Sequence, residues 1–439
     1  MIRHASVFEP GLGLCTKAKS TLTLHPGVKP VFRPKRPVPC AALPIVVSEL
    51  DRLQAEGNIQ SVNYSEWAGS IVVVKKANGG VRICADVSTG LNAALKNYEY
   101  PLPVPEDLFT KLNRGQRFAK VDLFDAYLRI PVEEESRKLL TVNTHRRLFQ
   151  YARLPFGIKT APAIFQQIMD IMLSDLPGCV VYLDDIIIMG CDVADLVQKP
   201  DKLLSRIKEY GFRLRKEKCI FMLHSVKRLG FIIDKRGRHP DPASVEAIKA
   251  MPPPKDLSGL RVFLGLVSYY GAFIPTLHQL RGPLNRFLTK DSKWEWTTEC
   301  QRGFEKVKAM ITSDLLLTHF NPSLPIEVAS DASNFGISAL IFHILPDGAE
   351  NAIAHAARSL TPVEKNNSQI KKHFSQSRSF MKCCVVGGSL FSQITNLCRL
   401  FHFTLQTDCN VGRQCYSLMN SIFHTGRRTN LAKLLPCHA

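Results

Sequence analysis

The sequence has no apolar run long enough to cross a bilayer; its most notable one, Cys179 to Met189, is broken by Asp184 and Asp185. Nor does it open on an apolar signal core, because charges and prolines crowd its first residues, which argues against secretion. The 13 cysteines are scattered, with no CxxC pair and no CCHC spacing. Neither a disulfide scaffold nor zinc is therefore expected, and a reducing intracellular compartment, cytoplasm or nucleus, is. No Asp-Ser-Gly or Asp-Thr-Gly triplet of an aspartic protease occurs. Acids are scarce, 38 against 57 Lys and Arg, which leaves a net charge of +19. An excess of that size commonly serves a polyanionic partner, because cations that neutralise phosphates release counterions. A solvated basic surface would give the same number, so the motifs must separate the two.

What is present is enough chain and enough apolar residue for more than one core: 439 residues, 45% of them hydrophobic, suggest two or three domains. Residues 1–40 hold seven basic residues, one acid and six prolines, and read as an extended basic lead-in rather than a folded element. Leu43 to Glu56 then has the pattern of an amphipathic helix closed by Gly57. Ser70 to Lys76 and Val81 to Asp86 read as two strands of a hairpin around Asn78-Gly79-Gly80. Ala161 to Leu173 reads as a helix with Thr160 as its N-cap and Pro162 in its first turn. Leu203 to Tyr210, Leu257 to Tyr270 and Cys300 to Ser313 read as further helices, and Pro325 to Phe342 returns to strand character. Residues 371–439 differ from the rest, with nine Lys/Arg, one acid (Asp408) and six of the cysteines.

The sharpest feature is Val180 to Ile188, two apolar strands with Asp184 and Asp185 between them. Neighbours on a straight strand point to opposite faces, so two adjacent aspartates serve one site only if the chain turns there. Apolar flanks make such a pair costly, since like charges this close repel and one would take up a proton. A divalent cation removes the difficulty. Phe118 to Asp122 offers a third carboxylate at a strand end. Three carboxylates on neighbouring strands can hold two Mg²⁺ (or Mn²⁺) ions roughly 4 Å apart, the arrangement used for in-line phosphoryl displacement. An exposed, inert acidic turn is the plainer alternative.

Three segments carry a family resemblance: Tyr182-Leu183-Asp184-Asp185, Val121 to Tyr127, and Leu154 to Gln166. In their order and spacing they resemble the polymerase of gypsy-type LTR retrotransposons, and the likeness runs from about Ser48 to about Thr361. It implies an α+β fold: a right-hand polymerase of fingers, palm and thumb, then a truncated ribonuclease H-like α/β domain. It makes Asp122, Asp184 and Asp185 the catalytic, metal-binding carboxylates. Tyr127 would stack under the incoming sugar and exclude a 2′-hydroxyl. Arg82, with Lys75 or Lys76, would grip the triphosphate, and Phe156 and Gly157 would line the nucleotide from a loop just before a helix N-terminus. Lys218 resembles a lysine that protonates pyrophosphate, with Lys216 equally placed on spacing. Leu229 and Gly230 resemble the primer grip, where glycine lets backbone approach the primer strand. The implied partners are an RNA or DNA template with its primer and deoxynucleoside triphosphates, with no membrane.

Ile326 to Ser333 resembles the first strand of a ribonuclease H fold, with Asp331 as a metal ligand, and Phe403 to Asp408 offers Asp408 as another. Where the resemblance calls for a catalytic glutamate, the sequence has Lys371-Lys372-His373, and no Glu follows Glu364. The expected organisation is a lead-in over 1–42, fingers and palm over 43–238, thumb and connection over 239–320, a degenerate ribonuclease H-like domain over 321–410, and a divergent basic tail over 411–439. With neither protease nor integrase motifs, the chain reads as a fragment of a polyprotein or a decayed copy. Two functions stay open: a primer-extending reverse transcriptase whose ribonuclease H is lost, and a catalytically silent nucleic-acid-binding relic.

Overall fold

The computed structural model describes residues 2–9, 11–75, 81–88, 90–123, 126–274, 277–289, 292–313, 315–321, 323–332 and 336–360. The described residues divide into two compact units, one within Met1–Val104 and Arg117–Leu223, the other within Pro105–Gln116 and residues 224–360.

The first unit contains two sheets. Strands β1 (Ile59–Val62), β2 (Gly69–Lys75) and β3 (Val81–Asp86) precede β4 (Arg117–Asp122), β5 (Thr141–Asn143) and β6 (Leu148–Tyr151). They are followed by β7 (Cys179–Tyr182), β8 (Asp185–Gly190) and β9 (Ile220–Leu223). One sheet has the order β1-β6-β5-β2-β3, the other β7-β8-β4-β9. The β2–β3 hairpin alternates buried and half-buried residues on β3, as a strand with one face on a core must. Its Asn78-Gly79-Gly80 turn lies outside the described residues.

A helix over Ala161–Leu173 buries Ala161, Ile164, Phe165, Ile168, Met169 and Met172, the three-four spacing of a single face. Pro162 stands in its first turn, but Thr160 is not the expected side-chain cap: its hydroxyl is buried and makes no hydrogen bond. The helix read as starting at Leu203 starts at Val193 and ends at Glu209. Asp192 caps it by accepting from the Asp195 N–H, and Pro200 lies inside it. Both helices, with Val46, Leu50 and Leu53 of the Leu43–Ala55 helix, share one core with the sheets.

The lead-in, expected to be extended, opens on a 3₁₀ helix over Ile2–Phe8 and is part of this core rather than apart from it. Val7, Leu12, Cys15 and Leu22 are buried there. Single bridges tie Ser20 to Val132, Leu24 to Leu95 and Phe32 to Ala68. Its backbone is satisfied by neighbours it could not have found by local periodicity: Leu14 N–H donates to Gly211 C=O and Cys15 N–H to Arg129 C=O.

In the second unit β10 (Ser225–Arg228), β11 (Phe231–Asp234), β12 (Gly237–Pro240) and β13 (Leu317–Thr318) form an antiparallel sheet. Helices over Leu257–Tyr269 and Thr298–Ile311 meet at Phe263 and Phe304, whose rings lie 4.6 Å apart. Arg238 is held among the rings of Phe109, Phe231 and Phe273, and burial pushes its guanidinium down to about 10. Strands β14 (Ile326–Ala332), β15 (Gly336–Ile344) and β16 (Glu350–Ser359) form a separate antiparallel sheet. No helix among the described residues is long and apolar enough to cross a membrane.

Candidate active site

Strand β4 runs through the middle of its sheet, and its apolar residues Phe118, Ala119 and Val121 are buried, so the chain is rigid up to Asp122. Asp122 stands opposite Asp185 in the β4–β8 register. The β7–β8 hairpin closes with Tyr182 opposite Asp185, leaving Leu183 and Asp184 as a two-residue loop. That loop is what brings adjacent aspartates to one place. It requires Leu183 to adopt φ = +55°, a left-handed conformation that a branched residue seldom takes. Asp184 is exposed at the tip, while the side chains of Asp122 and Asp185 are only 13% and 15% accessible. The Asp184 C=O accepts from the Leu123 N–H at 3.3 Å, which ties the tip to the end of β4.

Burial pushes the Asp122 carboxyl above its ordinary range. Lys218 and Arg215 pull it down, whereas Asp185 and Asp184 push it up. Lys218 Nζ lies 3.8 Å from Asp122 Oδ2, Arg215 Nε 4.0 Å from Oδ1, and Lys120 Nζ 3.4 Å from Asp185 Oδ1. Lys216 shares the short 3₁₀ turn Lys216–Lys218, but the ion pair to Asp122 is made by Lys218.

No group of three or more His, Cys, Asp or Glu side chains close enough to hold a metal ion occurs among the described residues. The donor set still fits a hard divalent cation in kind, since all three groups are carboxylates. Asp122 Oδ1 is moreover buried without a hydrogen-bond partner. Lys120 and Lys218 supply the counter-charge in this arrangement.

Beside the carboxylates lies an aromatic and cationic wall. Tyr127 meets Phe156 edge-on at 5.3 Å and Phe165 at 5.4 Å. Burial raises the Tyr127 hydroxyl to about 12; Asp184 adds to the shift and Arg82 opposes it. The Arg82 guanidinium sits 4.3 Å above the Phe156 ring, and its Nε is buried with no hydrogen-bond partner. Gly157 has φ = +104°, and a Cβ there would lie 2.2 Å from the Ala85 carbonyl, so only glycine lets this loop lie against β3. Asn92, which sequence reasoning passed over, fixes the same loop by donating to Gly157 C=O and accepting from Lys159 N–H. Lys75 ends β2 and its side chain is outside the description; Lys76 lies outside the described residues.

Leu229 and Gly230 belong to the second unit. They form the two-residue turn between β10 and β11, with φ of 48° and 71°, as a type I′ hairpin turn requires. Tyr269 and Tyr270 donate to the Leu229 and Gly230 carbonyls at 2.6 and 3.2 Å. Asp331 lies on β14 opposite Ser338, with its side chain not described. His373 and Asp408 lie outside the described residues. Gln166 and Arg215, both close to the carboxylates, had been given no role from sequence. The only signal for Gln166 was its place in the Leu154–Gln166 segment, with Asp170 one helical turn further on.

Residues 74–233 match the family model of the reverse transcriptase (RNA-dependent DNA polymerase), and residues 296–380 match that of the RNase H-like domain found in reverse transcriptase. The chain is 47% identical over 265 residues to an uncharacterized protein of Caenorhabditis elegans, covering 60% of this chain and 21% of the relative. It is 31% identical over 300 residues to the transposon Tf2-3 polyprotein of Schizosaccharomyces pombe (68% and 22% coverage). Against the retrovirus-related Pol polyprotein from transposon 412 of Drosophila melanogaster it is 29% identical over 287 residues (65% and 23%). The chain thus spans about a fifth of the length of these relatives. Among solved structures, the foamy viral protease-reverse transcriptase in complex with double-stranded DNA is similar in fold, with a TM-score of 0.79 at 20% identity. That match covers 88% of this chain and 68% of the other. The same enzyme with an RNA/DNA hybrid gives 0.73, covering 88% and 52%. The chain therefore carries a reverse transcriptase domain over residues 74–233 and an RNase H-like domain of the kind found in reverse transcriptase over residues 296–380, and its similar relatives include retrotransposon polyproteins.

Proposed function

We propose that the chain is an RNA-directed DNA polymerase that extends a primer on an RNA or DNA template by two-metal nucleotidyl transfer. The observation that carries the reading is Asp122 facing Asp185 across β4 and β8, with Asp184 beside them on a tight loop. Asp122, Asp184 and Asp185 would hold two Mg²⁺ or Mn²⁺ ions. When bound, these supply activation of the primer 3′-hydroxyl and neutralisation of the departing pyrophosphate.

The chain's own residues do the rest. Arg82 is braced on Phe156 and has an unused buried donor, which suits it to a triphosphate oxygen. Tyr127, fixed between Phe156 and Phe165, presents a wall that a 2′-hydroxyl would strike. Lys218, half-exposed and within 4 Å of Asp122, would give a proton to pyrophosphate. The Leu229-Gly230 turn would hold the primer end. The basic excess would serve the nucleic-acid backbone. Ribonuclease H activity is absent in this reading.

A catalytically silent, nucleic-acid-binding relic is the second reading, favoured by the lysines paired with Asp122 and Asp185. Primer extension by the purified chain on poly(rA)/oligo(dT) with Mg²⁺ or Mn²⁺ decides between them. Extension supports the polymerase; binding of the duplex without extension in either metal sinks it.

A further inference from the structure

We propose that Gln166 is a positioning residue that aims the carboxylate loop; the inference rests on the polymerase reading above. Gln166 sits midway along the Ala161–Leu173 helix and is completely buried, where an unpartnered amide would be costly. Its Oε1 accepts from the Leu183 N–H at 2.9 Å. Its Nε2 donates to the Val181 C=O at 3.2 Å and to Asp170 Oδ1 at 3.1 Å. One amide thus grips both the end of β7 and the loop residue that precedes Asp184.

The residue gripped is the strained one. Leucine at φ = +55° persists only where its surroundings hold it, and the bond from its own N–H is the most direct hold available. The amide's orientation is fixed as well. A carboxylate only accepts, so Asp170 turns Nε2 toward itself and leaves Oε1 for Leu183. Asp170 is anchored in turn by the Tyr100 hydroxyl, which donates to its Oδ2 at 2.7 Å. Burial and Asp170 push that hydroxyl up to about 12, so it stays a donor. With the Leu123 N–H on the Asp184 C=O, the tip is held from two sides. Gln166 touches no reacting atom; it acts on the carboxylates through the Leu183 backbone.

The test uses Gln166→Leu, Gln166→Glu, Asp170→Asn and the double variant Gln166→Glu/Asp170→Asn in the full chain. Gln166→Glu alone sets two carboxylates against each other. In the double variant the amide introduced at position 170 can donate to the new carboxylate at position 166, whose other oxygen accepts from Leu183, so the hold on Leu183 returns with only the 166–170 bond reversed, while the bond to the Val181 C=O stays lost. Primer-extension kcat is expected to fall about tenfold to a hundredfold in both single Gln166 variants, because the loop is misaimed. KM for the nucleotide should change less than about threefold, and the double variant should recover to within about threefold of Asp170→Asn. Amide hydrogen exchange at Leu183 gives a readout that needs no activity: slow in the parent, fast in Gln166→Leu, slow again in the double variant. Unchanged Leu183 exchange in Gln166→Leu, or a double variant no better than Gln166→Glu, overturns the proposal. If Gln166→Leu fails to fold, the Gln166→Glu and double-variant pair decides. A parent that does not extend primer would sink the polymerase reading instead, and the exchange arm would still judge Gln166.

Discussion

Like charges held a few ångströms apart in a half-buried place are unstable alone, and Asp122 and Asp185 are in that position across β4 and β8. Asp184 differs from both in being exposed, so its replacement by an amide of the same shape tests chemistry without disturbing packing. Asp184→Asn is expected to lower primer extension by about a hundredfold or more, since a ligand to the reacting centre is lost. Thermal stability should stay within about 0.5 kcal/mol of the parent, as for an exposed substitution. A purified variant that extends primer at the parental rate would remove Asp184 from the site. Tyr127→Val tests the wall: ribonucleotide discrimination should fall about tenfold or more. The lost edge contacts to Phe156 and Phe165 should cost about 2 kcal/mol. Discrimination unchanged at that loss of stability would make Tyr127 a packing residue only. At this scale the aspartates were legible because charge inside an apolar strand pair has few explanations. Gln166 was not, because a glutamine in a helix looks the same whether it faces water or a backbone. Thr160 does stand at the N-cap position that its type and place suggest, yet its hydroxyl is buried and makes no capping hydrogen bond.

An element is legible when its own period announces it. The Ala161–Leu173 helix has the apolar spacing and a proline at its start, and sequence reading gave its limits. The helix over Val193–Glu209 is read from sequence only from Leu203; a proline inside a helix opposes it, but the Asp192 cap and the face buried at Leu196, Leu203, Leu204 and Ile207 carry it through Pro200. The lead-in was illegible for a deeper reason. Val7, Leu12, Cys15 and Leu22 follow no period; they are buried because distant backbone, such as Gly211 and Arg129, accepts the segment's amides. Such a segment is held by contacts far apart in sequence, so cutting one should weaken the whole unit. Leu12 is 4% exposed, and Leu12→Ala is expected to cost about 2–5 kcal/mol, the range for emptying a core leucine site. Denaturant unfolding of parent and variant checks this, and a difference under about 0.5 kcal/mol would mean the segment only lies on the surface.

For the molecule as a whole, the two family matches invite the expectation of two activities, and the residues support one. A ribonuclease H centre needs several carboxylates converging on two metal ions, with water attacking the RNA strand of a hybrid. In the segment where the resemblance calls for a glutamate the sequence has Lys371, Lys372 and His373, and Asp408 is the only acid after residue 370. Two lysines raise the local positive potential, which repels Mg²⁺ rather than concentrating it. Asp331, on β14, would then have Asp408 as its one remaining carboxylate partner from the later chain. The carboxylates proposed for primer extension suffer no such loss, since Asp122, Asp184 and Asp185 are all present at the adjoining ends of β4, β7 and β8. The expected outcome is a protein that extends primers but leaves the RNA strand of a labelled RNA–DNA hybrid intact, in Mg²⁺ and in Mn²⁺. The two activities are measured on the same preparation, so a misfolded sample cannot pass for a selective loss. Hybrid cleavage that vanishes on Asp331→Asn, with primer extension unchanged, would show that the carboxylate set is completed by residues the resemblance does not reach.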